Sequence, residues 1–367
     1  MDNGGNMKKL ILKFSGAILL IGIGCQPALK MSTPPPPMAN KWHALHIINH
    51  TSDEDLRLVE EYLPNLASMG INTLILEVNY GFRFASHPEL RADSSAITIA
   101  GAKQLLAACR VSGIRLIPQF QCLGHQSWAG TTFPLLIQYP EFDLTPGAYP
   151  GNEGIYCREW DPLNPAINEI VFALIDELID AFEADAFHVG MDEVFLLGDS
   201  LSPSTYGKDP GELFARAVNE YHAYLVGERG IEMMMWGDRL IDAEKYPYGE
   251  WEASVTGSAR AVDMIPDDII ICDWHYEKRD EYPSVPMFLD KGFRVLPSGW
   301  REAEATEALI SYTYTFEDPK MLGHLFTTWS RTMEDIVEFP AMIAGLERLY
   351  QVETAILNRT GTQTRLP

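Results

Sequence analysis

The 367-residue sequence is poor in basic side chains, with 28 Lys and Arg against 51 Asp and Glu, and its formal net charge is −23. An acidic body of this kind repels phosphate backbones, which argues against nucleic acid as a partner. Cysteine is also scarce. The five residues Cys25, Cys109, Cys122, Cys157 and Cys272 form no CxxC pair and no Cys/His spacing that would build a structural zinc site, so neither a metal nor a cofactor is expected from them. Cys109 falls in a helical apolar pattern and Cys272 in a strand pattern, where each serves as a small core residue. Cys122 and Cys157 fall in predicted loops and could pair. An internal sequence repeat is lacking, as is any sign of a second domain.

Apolar residues make up 46% of the chain, enough for one large core rather than a string of small ones. At the N-terminus, Met7-Lys8-Lys9 is followed by an apolar stretch from Leu10 to Ile23, broken by Lys13, and by Gly22-Ile23-Gly24-Cys25. Residues 1–25 are read as a lipoprotein-type signal segment, although Gly22 stands where such a box usually has Leu. The stretch is well under the ~20 residues a spanning helix needs, and a short uncleaved anchor is the alternative. On this reading the protein is exported and held at the membrane, on the periplasmic or cell-surface side, through a lipid on Cys25. Residues 26–41, with Pro34 to Pro37 in a row, read as an extended tether.

From Trp42 onward, short β-branched runs alternate with amphipathic helical patterns. Strands are expected at 42–48, 72–78, 114–119, 185–190, 231–236, 269–274, 293–297 and 322–329. The helices expected between them are 53–69, 98–112, 164–183, 211–229, 258–264, 284–291, 301–312 and 334–349. Eight such units predict an α/β fold, a single (β/α)8 TIM barrel over residues 42–367. Gly70, Gly113, Gly230 and Gly292 each stand where a left-handed cap should end a helix before the next strand. In this fold chemistry gathers at the C-terminal ends of the strands. The stretch from Gln121 to Asp161, rich in Gly, Pro and aromatic residues, is too long for a mere connector and is expected to wall the site.

Strand 4 ends in Phe187-His188-Val189-Gly190-Met191-Asp192-Glu193-Val194. Adjacent side chains on a strand point to opposite faces, so Asp192 and Glu193 reach one pocket only if the chain bends after Gly190. The ordinary alternative is that one carboxylate caps a helix or faces solvent. His43, His46 and His50 raise the possibility of a metal site, but on a strand His43 and His46 face opposite ways, and no matching motif ends a later strand.

The run His188-Val189-Gly190-Met191-Asp192-Glu193-Val194 resembles the His-x-Gly-x-Asp-Glu-Val signature of glycoside hydrolase family 20, the β-N-acetylhexosaminidases. The following Phe195-Leu196-Leu197-Gly198-Asp199 is similar to its hexosaminidase D-like branch. Further matches run in the family's order: Leu76-Glu77, Ile117-Pro118-Gln119, Gly124-His125, Trp236-Gly237-Asp238 and Trp329-Ser330-Arg331. The chain departs from the pattern in two places. Met191 stands where a second Gly is common, and His46-Ile47-Ile48-Asn49 lacks the Arg that grips sugar hydroxyls after strand 1.

The resemblance implies retaining, substrate-assisted hydrolysis of terminal β-linked GlcNAc or GalNAc, in which the substrate's 2-acetamido oxygen forms an oxazoline. Glu193 is then the general acid, Asp192 holds the acetamido group, and His125 sits by Glu193 with Glu77 as a candidate partner. A loop histidine in water is the plainer reading of His125. A sugar's C–H face calls for an aromatic floor, for which Trp236, Trp274 and Trp329 are candidates and Trp300 a weaker one, although Trp is also ordinary core filler. His188 is expected beside the carboxylates. Tyr276 is a candidate donor to the acetamido carbonyl, with Tyr314 as competitor. Asp238 either binds a sugar hydroxyl or caps the next helix. Two other readings stay open: a non-catalytic glycan-binding lipoprotein, and a barrel glycosidase whose nucleophile is Glu250 or Glu252.

Overall fold

The computed structural model describes residues 38, 40–91, 93–148, 152–329 and 332–360. The expected signal segment with Cys25 and most of the expected 26–41 tether lie outside the described residues, as do Ser330 and Arg331.

Every expected strand is present, with its ends adjusted. The main strands are β1 (Trp42–Ile47), β2 (Thr73–Glu77), β3 (Arg115–Cys122), β6 (Ala186–Gly190), β7 (Glu232–Trp236), β8 (Ile270–Cys272) and β11 (Gly323–Thr327). Two-residue strands β4 (Ser127–Trp128) and β5 (Thr131–Thr132) form an antiparallel hairpin in the long segment after β3. The expected strand at 293–297 is instead two pieces, β9 (Arg294–Val295) and β10 (Ser298–Gly299), on either side of Pro297, which has no amide hydrogen to give to a ladder. The parallel sheet runs β10-β11-β1-β2-β3-β6-β7-β8-β9. The 294–299 stretch bonds on both flanks: the Leu296 amide donates to the Ile271 carbonyl at 2.9 Å, and the Leu325 amide donates to the Pro297 carbonyl at 2.9 Å. The domain is TIM-barrel-like.

Period-two alternation sorts the strand side chains into two layers. Ala44, Ile75, Ile117, Ala186, Met234, Ile270, Leu296 and Leu325 pack into an inner cluster that also holds Trp236 and Trp274. Their neighbours, such as Leu45, Leu74, Leu116, Phe187 and Met235, face the helices in a larger outer core. Fully burying one such aliphatic side chain contributes roughly 1.5–3 kcal/mol, so the two layers dominate folding.

The helices are α1 (Asp53–Met69), α2 (Ile99–Val111), α3 (Pro134–Gln138), α4 (Ala166–Phe182), α5 (Pro210–His222), α6 (Ser284–Asp290), α7 (Ala303–Thr313), α8 (Met333–Val337) and α9 (Pro340–Thr360). Helix α1 starts where Ser52 and Asp55 close a capping box, and it ends at Gly70 with φ 105°. Gly113, Gly230 and Gly292 are also left-handed, at 69°, 67° and 99°. Two expectations differ in winding. The helix expected over 211–229 passes from α5 into a π-helical stretch at Ala223–Glu228, and the one expected at 258–264 is wound as a 3-10 helix, Ser258–Asp263, entered from Gly257 in the left-handed region at φ 92°.

Gly323 opens β11 at φ +145°, and a Cβ there would lie 2.1 Å from the Trp42 carbonyl oxygen, backbone that cannot yield without breaking the β1–β11 ladder. Gly323→Ala should therefore destabilise the domain by about 2 kcal/mol or more. A denaturant midpoint equal to the parent's would show that the β1–β11 junction tolerates the side chain.

Candidate active site

The chain leaves β6 through consecutive left-handed residues: Gly190 has φ 69°, Met191 66° and, after Asp192, Glu193 51°. This is the bend that two adjacent carboxylates need to face the same way. A Cβ on Gly190 would lie 1.9 Å from Gln121 Oε1, so Gly190 is required both for its φ and for the close approach of Gln121. Met191 occupies the left-handed region without a glycine's freedom, at a cost of about 1–2 kcal/mol.

Gln121, from β3, donates through Nε2 to Asp192 Oδ1. His125, on the loop beyond, places Nε2 3.1 Å from Glu193 Oε2 and 3.4 Å from Asp192 Oδ2. Asp192, Glu193 and His125 are thus brought together at the C-terminal end of the sheet. Burial disfavours charge on His125, but the Asp192 charge and the bonds to Asp192, Cys157 and Glu193 outweigh it and raise the imidazolium well above its ordinary range. Burial likewise works against charge on Asp192, yet His125 and Gln121 hold its carboxyl below the ordinary value. One histidine and two carboxylates could also hold a cation, since their ligand atoms all lie within 4.8 Å of one another. The His125 and Gln121 contacts already engage those atoms.

Glu77 is not the partner of His125. Its carboxylate accepts from Gln119 Nε2 at 2.8 Å and Asn79 Nδ2 at 2.7 Å and lies 3.5 Å from His46, while the other nitrogen of His125 meets Cys157 Sγ at 3.3 Å. Sequence pattern alone could not choose between them, because Cys157 comes from a segment without periodicity. His188 is fully buried and accepts from the Gly190 amide at Nδ1, 3.0 Å away. Burial, and then His46, hold its imidazole well below the ordinary pKa and keep it neutral.

The aromatic candidates form one chain of contacts. Trp236 lies 4.7 Å from His188 and 5.9 Å from Trp329, Trp274 lies 4.8 Å from Tyr276, and Trp300 meets Tyr276 edge-on at 5.2 Å. Trp329 Nε1 donates to the Tyr276 hydroxyl at 2.9 Å. Tyr314 is elsewhere, donating to Glu353 on the outer face.

Asp238 is neither a helix cap nor open to a sugar. It is 1% exposed, and its oxygens accept from the Glu193 amide at 2.9 Å, Trp274 Nε1 at 3.1 Å and Arg239 Nε at 2.6 Å, so its capacity is spent on shaping the site. Burial pushes its carboxyl up to about 6, opposed by Arg239 and aided by Asp192 and Glu193.

The three clustered histidines of the N-terminal strand region part company: His43 bonds Glu353, His46 bonds Gln119, and His50 bonds the Ile48 carbonyl. Glu252 is engaged by His275 at 2.7 Å. Cys122 lies in β3, and both it and Cys157 are buried free thiols, so the pairing left open by the sequence is not made. Gln121, Arg239, Tyr156 and Cys157 were not singled out for the site by sequence reasoning. Only the i+2 spacing of Gln121 from Gln119, on the same face of β3, signals any of them.

Residues 38–301 match the glycosyl hydrolase family 20 catalytic domain. The chain is 21% identical over 274 residues to a β-hexosaminidase of Emericella nidulans, covering 66% of this chain and 40% of that protein. It is 25% identical over 193 residues to hexosaminidase D of Bos taurus, covering 50% of this chain and 51% of that one. The chain thus spans about half or less of these curated relatives. In fold it resembles a β-N-acetylhexosaminidase from Bacteroides fragilis, with TM-score 0.60, 14% identity and coverage of 90% of this chain and 72% of the other. It also resembles dispersin B, with TM-score 0.53, 16% identity and coverage of 85% and 98%.

The His125–Asp192 pairing has a direct readout. Asp192→Asn removes the charge that raises His125, so the ring's titration should move down toward its ordinary 6.5, followed by imidazole NMR. The stability linked to His125 is present below its unfolded pKa and is lost as pH rises through the folded value. That linked to Asp192 is present above its unfolded pKa and is lost as pH falls through the folded one. The variant should therefore lose stability most between the two unfolded values, 3.8 for the carboxyl and 6.5 for the imidazole. An unmoved His125 titration would contradict the pairing.

Proposed function

Because the chain belongs to glycosyl hydrolase family 20, we propose that it is an exo-acting, retaining β-N-acetylhexosaminidase removing terminal β-linked GlcNAc or GalNAc from glycans. The observation that carries this reading is the Gln121–Asp192–His125–Glu193 cluster at the C-terminal end of β6. We read the domain as a complete (β/α)8 barrel, supported by the two-sided bonding of residues 294–299 and by an inner-layer residue from every strand position.

In the first step the substrate's acetamido carbonyl oxygen attacks the anomeric carbon, the glycosidic C–O bond breaks, and the Glu193 proton goes to the departing oxygen. Asp192, kept anionic and oriented by Gln121, accepts the acetamido N–H and faces the positive charge of the oxazoline. Trp329 donates to the Tyr276 oxygen, leaving the hydroxyl proton for the acetamido carbonyl. In the second step the Glu193 carboxylate takes a proton from a water whose oxygen bonds the anomeric carbon, while the oxazoline bond from that carbon to the acetamido oxygen breaks and restores the acetamido group with overall retention. The His125 cation lets two carboxylates sit side by side. The bond of Glu252 to His275 speaks against an enzyme nucleophile there, and a binding-only barrel has no use for the histidine-linked pair.

Glu193→Gln should cost about 10²- to 10⁴-fold on an oligosaccharide with a poor leaving group and far less on an activated aryl glycoside, which needs no proton. Asp192→Asn should slow both to a similar extent. Cleavage of a plain β-glucoside as fast as its 2-acetamido counterpart would sink the substrate-assisted mechanism.

We further propose export and lipid attachment at Cys25. Among the described residues, no helix is long and apolar enough to cross a membrane. Cys25→Ser should shed the lipid mass and the membrane association; a variant that fractionates like the parent would count against the anchor.

A further inference from the structure

Beside His125 and Glu193 lies an aromatic surface that the proposed chemistry leaves unused. Trp128, Tyr156 and Trp251 are 55%, 38% and 44% exposed, large apolar areas to leave in water. They come from separate places: Trp128 from the β4–β5 hairpin, Tyr156 from later in the segment after β3, and Trp251 from the loop after β7. Yet they form one group. Trp128 meets Tyr156 at 5.6 Å, Tyr156 meets Trp251 at 4.9 Å, and His125 lies 6.2 Å from Trp128 and 5.9 Å from Tyr156. The His125 ring that lies 5.9 Å from Tyr156 has its Nε2 3.1 Å from Glu193 Oε2, which puts the platform beside the proton donor, and burial together with the Glu193 charge raises the Tyr156 phenol.

The group is built, not frayed. The Gln126 amide donates to the Arg158 carbonyl at 2.9 Å, and the Arg158 amide donates to Ser127 Oγ at 2.9 Å, which binds the hairpin to the segment that carries Tyr156. Arg239 Nη2 donates to the Glu250 and Trp251 carbonyls at 2.7 and 2.8 Å, and its guanidinium lies 4.5 Å over the Phe195 ring beneath Trp251. The same Arg239 holds Asp238, which holds the Glu193 amide, so platform and acid share one support.

The geometry points to Trp128, Tyr156 and Trp251 as the binding platform for the sugar on the leaving-group side of the scissile bond, making this chain selective for oligosaccharides over isolated terminal sugars on small aglycones. The inference rests on the reading of Glu193 as proton donor. The oxygen that Glu193 protonates belongs to the departing sugar, so that sugar must lie against Glu193 and over whatever adjoins it. What adjoins it is Tyr156 with its two indole neighbours. Aromatic faces suit the C–H face of a pyranose, and the buried Trp236 and Trp274 belong to a different group of contacts, around His188 and Asp238.

The test compares a β-1,4-linked N-acetylglucosamine disaccharide with a monosaccharide thiazoline that occupies only the inner-sugar position. Trp251→Ala and Trp128→Ala should each raise KM for the disaccharide roughly three- to tenfold, while the thiazoline Ki moves less than twofold. Trp251→Phe, which keeps a ring, should recover most of the loss. Both alanine variants keeping the parent's disaccharide KM would overturn the platform, and so would a thiazoline Ki rising in step with KM. A parent that cleaves no β-N-acetylglucosaminide would sink the hydrolase reading and the platform together, an outcome distinct from either.

Discussion

The Asp238–Arg239 ion pair is the joint on which the site turns. Both side chains are fully buried, and each reaches far in sequence: Asp238 accepts from the Glu193 amide and the Trp274 indole, and Arg239 donates to the carbonyls of Glu250, Trp251 and Ala253. The exits of β6 and β8 and the loop after β7 are thereby held to one another. Two charges taken out of water repay their desolvation only when their remaining lone pairs and protons are used, and here both Asp238 oxygens and the Nε and Nη2 of Arg239 are engaged. Removing either partner would leave an uncompensated buried charge, at a cost of about 3–5 kcal/mol.

That joint also explains how a strained turn persists. Met191 and Glu193 sit in left-handed conformations that side chains with a Cβ disfavour, and such residues survive where the surroundings over-determine them. Here the Glu193 amide is fixed by Asp238, and Gln121 fills the space that only Gly190 leaves open, with its amide turned to Asp192. The strain is local, whereas its support comes from β3 and the residues following β7.

How far the sequence could be read follows from the range of each interaction. Hydrophobic runs, helix periodicity and the caps at Gly70, Gly113, Gly230 and Gly292 are local signals, and they located the strands and most helices. Asp192, Glu193 and His125 were legible because a short motif carried two of them and a Gly-His dipeptide the third. Asp238 was visible but misread: a carboxylate at a strand end looks the same whether it faces a ligand or three internal donors. Glu77 is only a candidate partner for His125 in the sequence, because nothing in a coil marks Cys157 as near, and Cys122 reads as a loop residue because β3 runs on past its apolar stretch. Trp128 and Tyr156 lie in that same aperiodic segment, where composition announces a wall but not which residues face the site.

The two histidines nearest Asp192 carry the electrostatics in opposite directions. His188 is buried with no carboxylate in contact; it accepts a backbone amide and neighbours His46, so desolvation wins and it stays neutral. His125 is nearly as enclosed, but it touches two carboxylates and is charged. The difference matters because two adjacent anions in a low dielectric repel by far more than a surface pair would, and a cation between them removes that repulsion. Asp192 can then stay ionised while Glu193 exchanges its proton. In an acidic protein of net charge −23, the site depends on one imidazolium placed where two carboxylates converge.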